Sequence, residues 1–218
     1  MTNKLISYLY PQEIETRDSE YNGTIKVMQF LGKSFVVVDD LTQSGGLVTK
    51  IWQQVSAHLA NNDFKASEPQ EILILGLGAG SSVLPIHHQW PAAHITGVEI
   101  DLAMIDIGIK YFELEKYPLK TINHDVYEWI KSHNKKYDLI YVDIYQGQQA
   151  PTQSFQQSFI AKLKQSLTPK GIIVFNLLSL KGQEDKAEKL RQNLKKHFHS
   201  IHQIPTSVNI LIKCKTQA

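Results

Sequence analysis

The stretch at residues 71–80 constrains the fold more than any other part of the chain. Residues 72–75 form a continuous apolar run, and Gly76, Gly78 and Gly80 follow it directly. A short uninterrupted apolar run is typical of a strand buried on both faces of a parallel sheet. Glycines in the turn after such a strand permit positive φ and let a ligand approach the main chain, although they also occur for packing alone. The stretch therefore predicts an α/β sheet with a candidate ligand site at the glycine turn.

Similar apolar runs recur downstream, with helical patterns between them. The further predicted strands are residues 95–100, 120–123, 139–143 and 172–176, and the predicted helices are residues 81–89, 102–113, 126–132 and 153–166. This alternation indicates βαβ units, and right-handed crossovers then give a Rossmann-like, doubly wound, mostly parallel sheet. A charged helix at residues 183–197 precedes two strands, residues 200–204 and 209–213, which we expect to close the sheet edge as an antiparallel pair.

The N-terminal part has a different pattern. Residues 13–40 suggest a β meander, with strands at residues 24–30 and 34–38 joined by a turn. Residues 49–60 then carry an apolar helical stripe. We therefore divide the chain into residues 1–48, a small β-hairpin module with the start of a linker helix, and residues 49–218, a nucleotide-binding Rossmann-like domain.

Composition narrows the class of partner. The formal net charge is only +2, which gives no field to attract nucleic acid or an anionic membrane. Cys214 is the only cysteine, so an intramolecular disulfide is excluded, and the spacing of His197, His199 and His202 does not match a zinc site. No signal peptide or apolar run of spanning length is found. We expect a soluble, cytoplasmic protein that acts on a small molecule, without metal.

An acidic pair ends the second predicted strand. Glu99, Ile100 and Asp101 follow the glycine turn by about 20 residues, where an acid typically accepts hydrogen bonds from a ribose. The alternative for Glu99 is a strand-end acid in water. Asp101 is predicted to cap the helix that begins after it.

The third and fourth predicted strands also end in carboxylates. Asp125 is placed to accept from an adenine amine while Val126 packs on the ring, or to cap the following helix, and the two roles are compatible. Asp143 is expected to face the reacting end of the ligand. Tyr145 either lines a substrate mouth or packs.

Several of these segments match a known family. They are residues 38–43, the loop at residues 76–80, residues 99–101, residues 124–126, residues 137–143 and residues 167–171. On these segments the chain resembles the spermidine synthase family of aminopropyltransferases, which share the class I methyltransferase fold. The resemblance implies adenosylmethionine or its decarboxylated form as cofactor, no metal, and a homodimer.

The resemblance also implies roles for individual residues. Glu99 would hold the ribose, Asp125 and Val126 the adenine, Gln43 would reach the cofactor, and Asp143 would be the catalytic acid beside the transferred group. The implied cofactor-binding set is Gln43, Gly76, Gly78, Ala79, Gly80, Glu99, Ile100, Asp125, Val126 and Asp143, and the implied substrate pocket is Tyr145 and Gln146.

The chain departs from the family pattern where the substrate binds. Ala79 replaces the aspartate of the family's glycine loop, and Gln146 replaces the second acid of its Asp-x-x-Asp motif. A diammonium substrate needs paired carboxylates to offset its lost hydration. We therefore expect a methyltransferase-like, adenosylmethionine-dependent transferase of unknown acceptor.

Three alternatives stay open. The first is a true aminopropyltransferase that makes spermidine from decarboxylated adenosylmethionine and putrescine. The second is a NAD-dependent oxidoreductase, because Gly76, Gly78 and Ser81 approximate the dinucleotide fingerprint. The third is a non-catalytic nucleotide-binding module.

Overall fold

The structure, a computed structural model, describes residues 7–178, 184–206 and 209–216. Its strands are β1 Gln12–Ser19, β2 Gly23–Phe30, β3 Lys33–Val38, β4 Leu41–Ser44, β5 Glu71–Leu75, β6 His94–Glu99, β7 Leu119–Asn123, β8 Tyr137–Val142, β9 Leu167–Leu178, β10 Ser200–Ile204 and β11 Asn209–Lys215. Its α-helices are α1 Gly46–Asn62, α2 Val83–Gln89, α3 Leu102–Phe112, α4 Val126–Ser132, α5 Gln157–Gln165 and α6 Glu184–Lys195. Within these ranges no helix is both long and apolar enough to cross a membrane.

The central sheet has seven strands in the order β10-β11-β9-β8-β5-β6-β7. The pairs within β5 to β9 are parallel, and β11 runs antiparallel to both β9 and β10. The predicted doubly wound, mostly parallel α/β fold is confirmed. Strand β5 pairs with β8 on one side and β6 on the other, so the chain order reverses beside β5. Ligands of such sheets bind at this reversal, beyond the carboxyl ends of the strands.

Strand β5 is apolar along its length because both of its faces are covered. Leu73 and Leu75 pack into one buried cluster, and Ile72 and Ile74 pack into another on the opposite face. All four side chains are buried. Successive residues of a strand point to opposite faces, so only a continuous apolar run satisfies both layers.

The N-terminal module is larger than the hairpin predicted from the sequence. It is a four-stranded antiparallel sheet, β1-β2-β3-β4, in which β4 is additional to the predicted meander. Asp39 and Asp40 turn β3 into β4 with φ values of 49° and 61°. The sheet packs Ile25 and Val27 against Met104 of α3 in a shared apolar cluster. The division at residues 48 and 49 stays a prediction.

Some predicted boundaries are wrong by a few residues. Helix α1 begins at Gly46 rather than at residue 49, and α2 begins at Val83 rather than at residue 81. The predicted helix at residues 153–166 is interrupted, because a 3-10 turn, Thr152–Phe155, precedes α5. Residue 183, at the predicted start of the last helix, lies outside the described residues.

Candidate active site

A cavity opens at the carboxyl ends of β5, β6, β7 and β8, and we call it the nucleotide cavity. Ten of the predicted site residues line it: Gln43, Gly76, Gly78, Glu99, Ile100, Asp125, Val126, Asp143, Tyr145 and Gln146. The predicted cofactor residues Ala79 and Gly80 are not among its lining residues.

The glycine turn allows β5 and β8 to come close together. Gly76 has a φ of 86°, and a Cβ at this position would lie 2.1 Å from the main-chain oxygen of Asp143. Gly78 has a φ of 54°, and among the described residues a Cβ added there would meet only the Ser44 hydroxyl, at 3.7 Å. A side chain is therefore excluded at Gly76 by packing, whereas Gly78 leaves open space at the cavity wall.

Ala79 and Gly80 are not among the residues that line the nucleotide cavity, and their predicted contact with the cofactor stays a prediction. The Ala79 side chain is fully buried in the cluster that joins the N-terminal sheet to α3. A Cβ on Gly80 would lie 2.2 Å from the Leu114 side chain, so this glycine makes room for packing. The glycines of the loop therefore have two roles: Gly76 and Gly78 line the cavity, and Gly80 makes room for the Leu114 side chain.

Glu99 is buried at the end of β6 and already accepts two main-chain hydrogen bonds. The N–H groups of Gly78 and Asp101 donate to its two carboxylate oxygens, at 2.7 and 3.0 Å. Burial raises the pKa of this carboxyl, and the Asp101 and Gly78 N–H groups partly offset the rise. Each carboxylate oxygen has more than one acceptor position, so hydroxyl donors from the cavity can share it.

Asp101 caps α3, as predicted: its Oδ1 accepts from the Ala103 N–H at 2.9 Å. Its other oxygen accepts from the Ser19 hydroxyl at 2.5 Å and from the Asn22 amide at 2.6 Å. One carboxylate thus joins the N-terminal sheet to the helix after β6. Asn22, which the sequence did not single out, also lines the nucleotide cavity.

Asp125 caps α4, which confirms the second predicted cap. Its Oδ1 accepts from the N–H groups of Tyr127 and Glu128 at 2.8 and 2.9 Å. These bonds hold the carboxyl at the cavity wall, with Val126 beside it.

Asp143 lies at the end of a chain of side-chain amides. Asn209 Nδ2 donates to Asn176 Oδ1 at 2.8 Å, and Asn176 Nδ2 donates to Asp143 Oδ1 at 2.7 Å. Burial raises the pKa of Asp143 to about 7; the Asn176 hydrogen bond lowers it, the charge of Glu99 raises it, and the Trp52 side chain lowers it. A carboxyl that titrates near neutral pH is suited to accept and release a proton.

Tyr145 lines the cavity, and its hydroxyl group is hydrogen-bonded to the protein main chain. The hydroxyl donates to the Asn176 main-chain oxygen at 2.8 Å and accepts from the Leu178 N–H at 2.7 Å. Burial raises the pKa of this phenol well above its usual value. The Tyr145 ring forms part of the wall, while its hydroxyl fixes β9 beside Asp143.

Gln43 connects the N-terminal sheet to the loop after β8. Its Nε2 donates to the Gly147 main-chain oxygen at 2.8 Å, and the Gln148 side chain returns a hydrogen bond to the Asp39 oxygen at 2.8 Å. Gln146 is exposed in this loop. The two hydrogen bonds therefore join the N-terminal sheet to the loop after β8, beside the nucleotide cavity.

A second cavity adjoins the first, and we call it the acceptor-side cavity. The two cavities share the wall residues Gln43, Val48, Trp52, Asp143 and Tyr145. Asp143 therefore faces both spaces.

Trp52, Asn176 and Asn209 were not predicted from the sequence. Asn176 was predictable, because it lies at the carboxyl end of a predicted strand. Trp52 and Asn209 come from α1 and β11, and no sequence spacing relates them to Asp143. In the described parts of the chain, no three His, Cys, Asp or Glu residues are grouped so that they could hold a metal ion.

The strand order, with β11 as the antiparallel member, and the cavity at the carboxyl edge define a class I methyltransferase-type α/β fold. The family model of the spermine/spermidine synthase domain matches residues 49–214. The chain belongs to this family. Its relatives are transferases, so the nicotinamide-dependent alternative is set aside, and the homodimer implied by the resemblance stays a prediction.

Curated relatives match only in part. The chain is 33% identical over 112 residues to a probable polyamine aminopropyl transferase of Bifidobacterium longum, covering 51% of this chain and 25% of the relative. It is 31% identical over 116 residues to the polyamine aminopropyltransferase of Vibrio vulnificus, covering 51% and 39%. It is also 31% identical over 135 residues to the human eEF1A lysine and N-terminal methyltransferase, covering 56% and 19%. The matches thus span well under half of these relatives' length.

Solved structures share the fold. A probable spermidine synthase from Corynebacterium glutamicum aligns with a TM-score of 0.76 at 18% identity, covering 92% of this chain and 79% of the other. Human methyltransferase-like protein 13 in complex with SAH aligns with a TM-score of 0.58 at 24% identity, covering 77% and 78%. Both kinds of transferase are therefore built on this architecture.

Proposed function

We propose that the chain transfers the methyl group of adenosylmethionine to a nucleophile held beside Asp143. The observation that carries this proposal is the position of Asp143 on the wall shared by the two cavities. A transferred group has to pass between donor and acceptor, and a proton-accepting side chain at their boundary serves that step.

The nucleotide cavity has the groups that an adenosyl donor needs. Glu99 accepts the ribose hydroxyls at the end of β6, as acids in this position of doubly wound sheets do. Asp125 accepts from the adenine amine, and Val126 packs against the ring. Gly76 and Gly78 let the donor approach the main chain. Two structural neighbours were solved with adenosyl-type ligands, AdoDATO and SAH, which supports the same ligand class here.

Methyl transfer is favoured over aminopropyl transfer by the polar groups around the donor's tail. Adenosylmethionine carries a carboxylate that its decarboxylated form lacks, and Ser81 and Ser82, whose hydroxyls are able to donate hydrogen bonds to it, are among the residues that line the cavity. The loop position where the family has an acid for the amine tail is Ala79, which is buried away from the cavity.

The reaction begins with a proton transfer. An amine acceptor attacks only as the neutral base, so the Asp143 carboxylate takes a proton from its ammonium form. The nitrogen lone pair then forms a bond to the methyl carbon, the carbon–sulfur bond breaks, and its electron pair neutralises the sulfonium. The Asp143 pKa of about 7 makes it a base that is largely ionised slightly above neutral pH.

Aminopropyl transfer is the second candidate. The family model is named for spermine and spermidine synthase, and the two bacterial relatives are named as polyamine aminopropyltransferases, one of them as probable. In that reaction Asp143 would take the proton from a diamine, and the attacked carbon would belong to the aminopropyl group.

Calorimetric titration with adenosylmethionine, its decarboxylated form, adenosylhomocysteine and methylthioadenosine tests the proposal. We expect the first and third to bind, and Glu99→Gln to weaken binding while Glu115→Gln, an exposed control, does not. Failure of all four ligands to bind at millimolar concentration would end the proposal. Tighter binding of the decarboxylated pair would favour the second candidate.

The role of Asp143 is tested with methyl-labelled donor and a set of amines. Loss of transfer in Asp143→Asn with donor binding intact is the expected result. Unaltered transfer would remove Asp143 from the mechanism, and donor binding without transfer to any acceptor would favour the non-catalytic module.

A further inference from the structure

The acceptor-side cavity has walls suited to an apolar stem. Leu47, Val48, Ile51 and Leu178 line it, and Leu47 is 69% exposed. An exposed leucine at a cavity mouth loses water when a hydrocarbon chain covers it, and such burial is worth about 25 cal/mol per Å². The walls therefore favour an elongated acceptor whose middle is hydrocarbon.

The inner end of this cavity is polar but holds a single acid. Asp143 lies there with Asn176 and Asn209, whose side chains are both neutral. The hydrogen bonds orient the Asn176 NH2 group toward Asp143. Neither asparagine carries a negative charge that could pair with a second cation. One ammonium group is accommodated at this end.

The outer end carries charges of both signs. Asp40 and Lys50 line the cavity and are exposed. With Asp143 ionised, the lining has two carboxylates against one ammonium group, an excess of one negative charge. This excess is neutralised by an acceptor with one positive charge, whereas a diammonium acceptor would leave the cavity with one positive charge in excess.

We propose, resting on the proposed function, that the acceptor is a primary amine on an apolar stem without a second cationic group. Its amine lies at Asp143, and its far end, which carries no positive charge, lies at the exposed end of the cavity with Asp40 and Lys50. The ammonium gives its proton to Asp143, the neutral amine takes the methyl carbon, and the sulfonium leaves as a neutral thioether.

Three four-carbon amines that differ only at the far end test this inference: butylamine, 4-aminobutanoate and 1,4-diaminobutane. Their binding to the full chain, with and without adenosylhomocysteine, is measured by calorimetry at about pH 8.5, where Asp143 is ionised. We expect the diamine to bind at least tenfold more weakly than the better of the other two. Blocked lysine amide, added as a fourth probe, shows whether the same amine chemistry is preferred on a polypeptide or on a free molecule.

Lys50→Glu supplies the matched perturbation, with Lys65→Glu as the control for the same charge change at an exposed site outside the cavity. We expect the preference against the diamine to fall about tenfold in Lys50→Glu and to persist in Lys65→Glu. A diamine that binds tightest in the natural chain, a ratio that Lys50→Glu leaves unchanged, or no binding of any amine would each overturn the inference.

Failure of the proposed function and failure of this inference give different results in the same experiment. If adenosylhomocysteine does not bind, the methyl-transfer proposal fails, while the order of amine affinities on the unloaded chain still decides the acceptor class.

Discussion

Replacing Asn176 with leucine is expected to raise the pKa of Asp143. The Asn176 amide donates to Asp143 Oδ1 at 2.7 Å and lowers a pKa that burial has raised to about 7. A hydrogen bond to a charged group contributes about 1.5–3 kcal/mol, and each pKa unit corresponds to about 1.4 kcal/mol. The pKa of Asp143 should therefore rise by about one to two units in the variant.

Two measurements report this change. Titration of the aspartate carboxyl carbons by NMR gives the pKa of Asp143 in the free protein, after assignment with Asp143→Asn. Because the base works only when ionised, the acidic limb of the pH profile of transfer should move to higher pH by the same amount. The groups that set this pKa also include Glu99, whose charge raises it, so Glu99→Gln should move the limb the other way.

Two controls make the result decisive. Asn193→Leu removes a similar side-chain amide, one that donates to the Phe155 main-chain oxygen at 2.9 Å and lines neither cavity. Asn209→Ala removes the partner that orients Asn176 but leaves the donor, so its effect on the pKa should be smaller. If Asn176→Leu lowers the rate without moving either the carboxyl titration or the acidic limb, Asn176 does not tune Asp143 and the reasoning is refuted.

Further predictions concern Glu99, Asp143 and the glycine turn. Glu99→Gln should weaken adenosylmethionine binding by about tenfold or more, because a carboxylate is a stronger acceptor than an amide; unchanged calorimetric affinity would contradict the ribose role. The pKa of Asp143 is about 7 in the folded chain against 3.8 as the ordinary value, so its contribution to stability is fully present below about pH 4 and is lost as pH rises through 7. Asp143→Asn should abolish this loss of unfolding free energy, which has an upper bound of about 4 kcal/mol. Thermal or urea unfolding of both proteins at low and high pH measures it. Gly76→Ala should destabilise the fold by about 3 kcal/mol or more, whereas Gly78→Ala should cost about 1 kcal/mol in urea unfolding and yet impair donor binding; equal costs would contradict the packing argument.

The sequence predicted the parts of the fold that depend on a single segment. Strand β5 was visible because both of its faces are buried, and the caps Asp101 and Asp125 were visible because each acts on the helix directly after it. Strand β4 was missed because Leu41–Ser44 is only four residues long, too short for an alternation to show. Its pairing to β3 and its tie to the loop after β8 are tertiary contacts.

In the candidate site, too, the residues that depend on a single segment were predicted and those that depend on tertiary contacts were not. Acids at strand ends were predicted because parallel strands bring their carboxyl ends to one edge of the sheet. The Asn209–Asn176–Asp143 chain was not predicted, because it joins β11 to β9 and β8 through side chains that no local spacing relates. Ala79 was included in the cofactor set through the family resemblance, but its side chain is buried in the apolar cluster that joins the N-terminal sheet to α3.

The burial of Ala79 also restricts the routes by which this protein can change its chemistry. The side chain is fully covered by an apolar cluster that includes Ile25, Val36 and Ile107. An aspartate introduced alone at this position would place a charge among hydrocarbon groups, at a cost of several kcal/mol. An acid at this position would therefore need changes in the packing of the N-terminal sheet as well as the substitution itself.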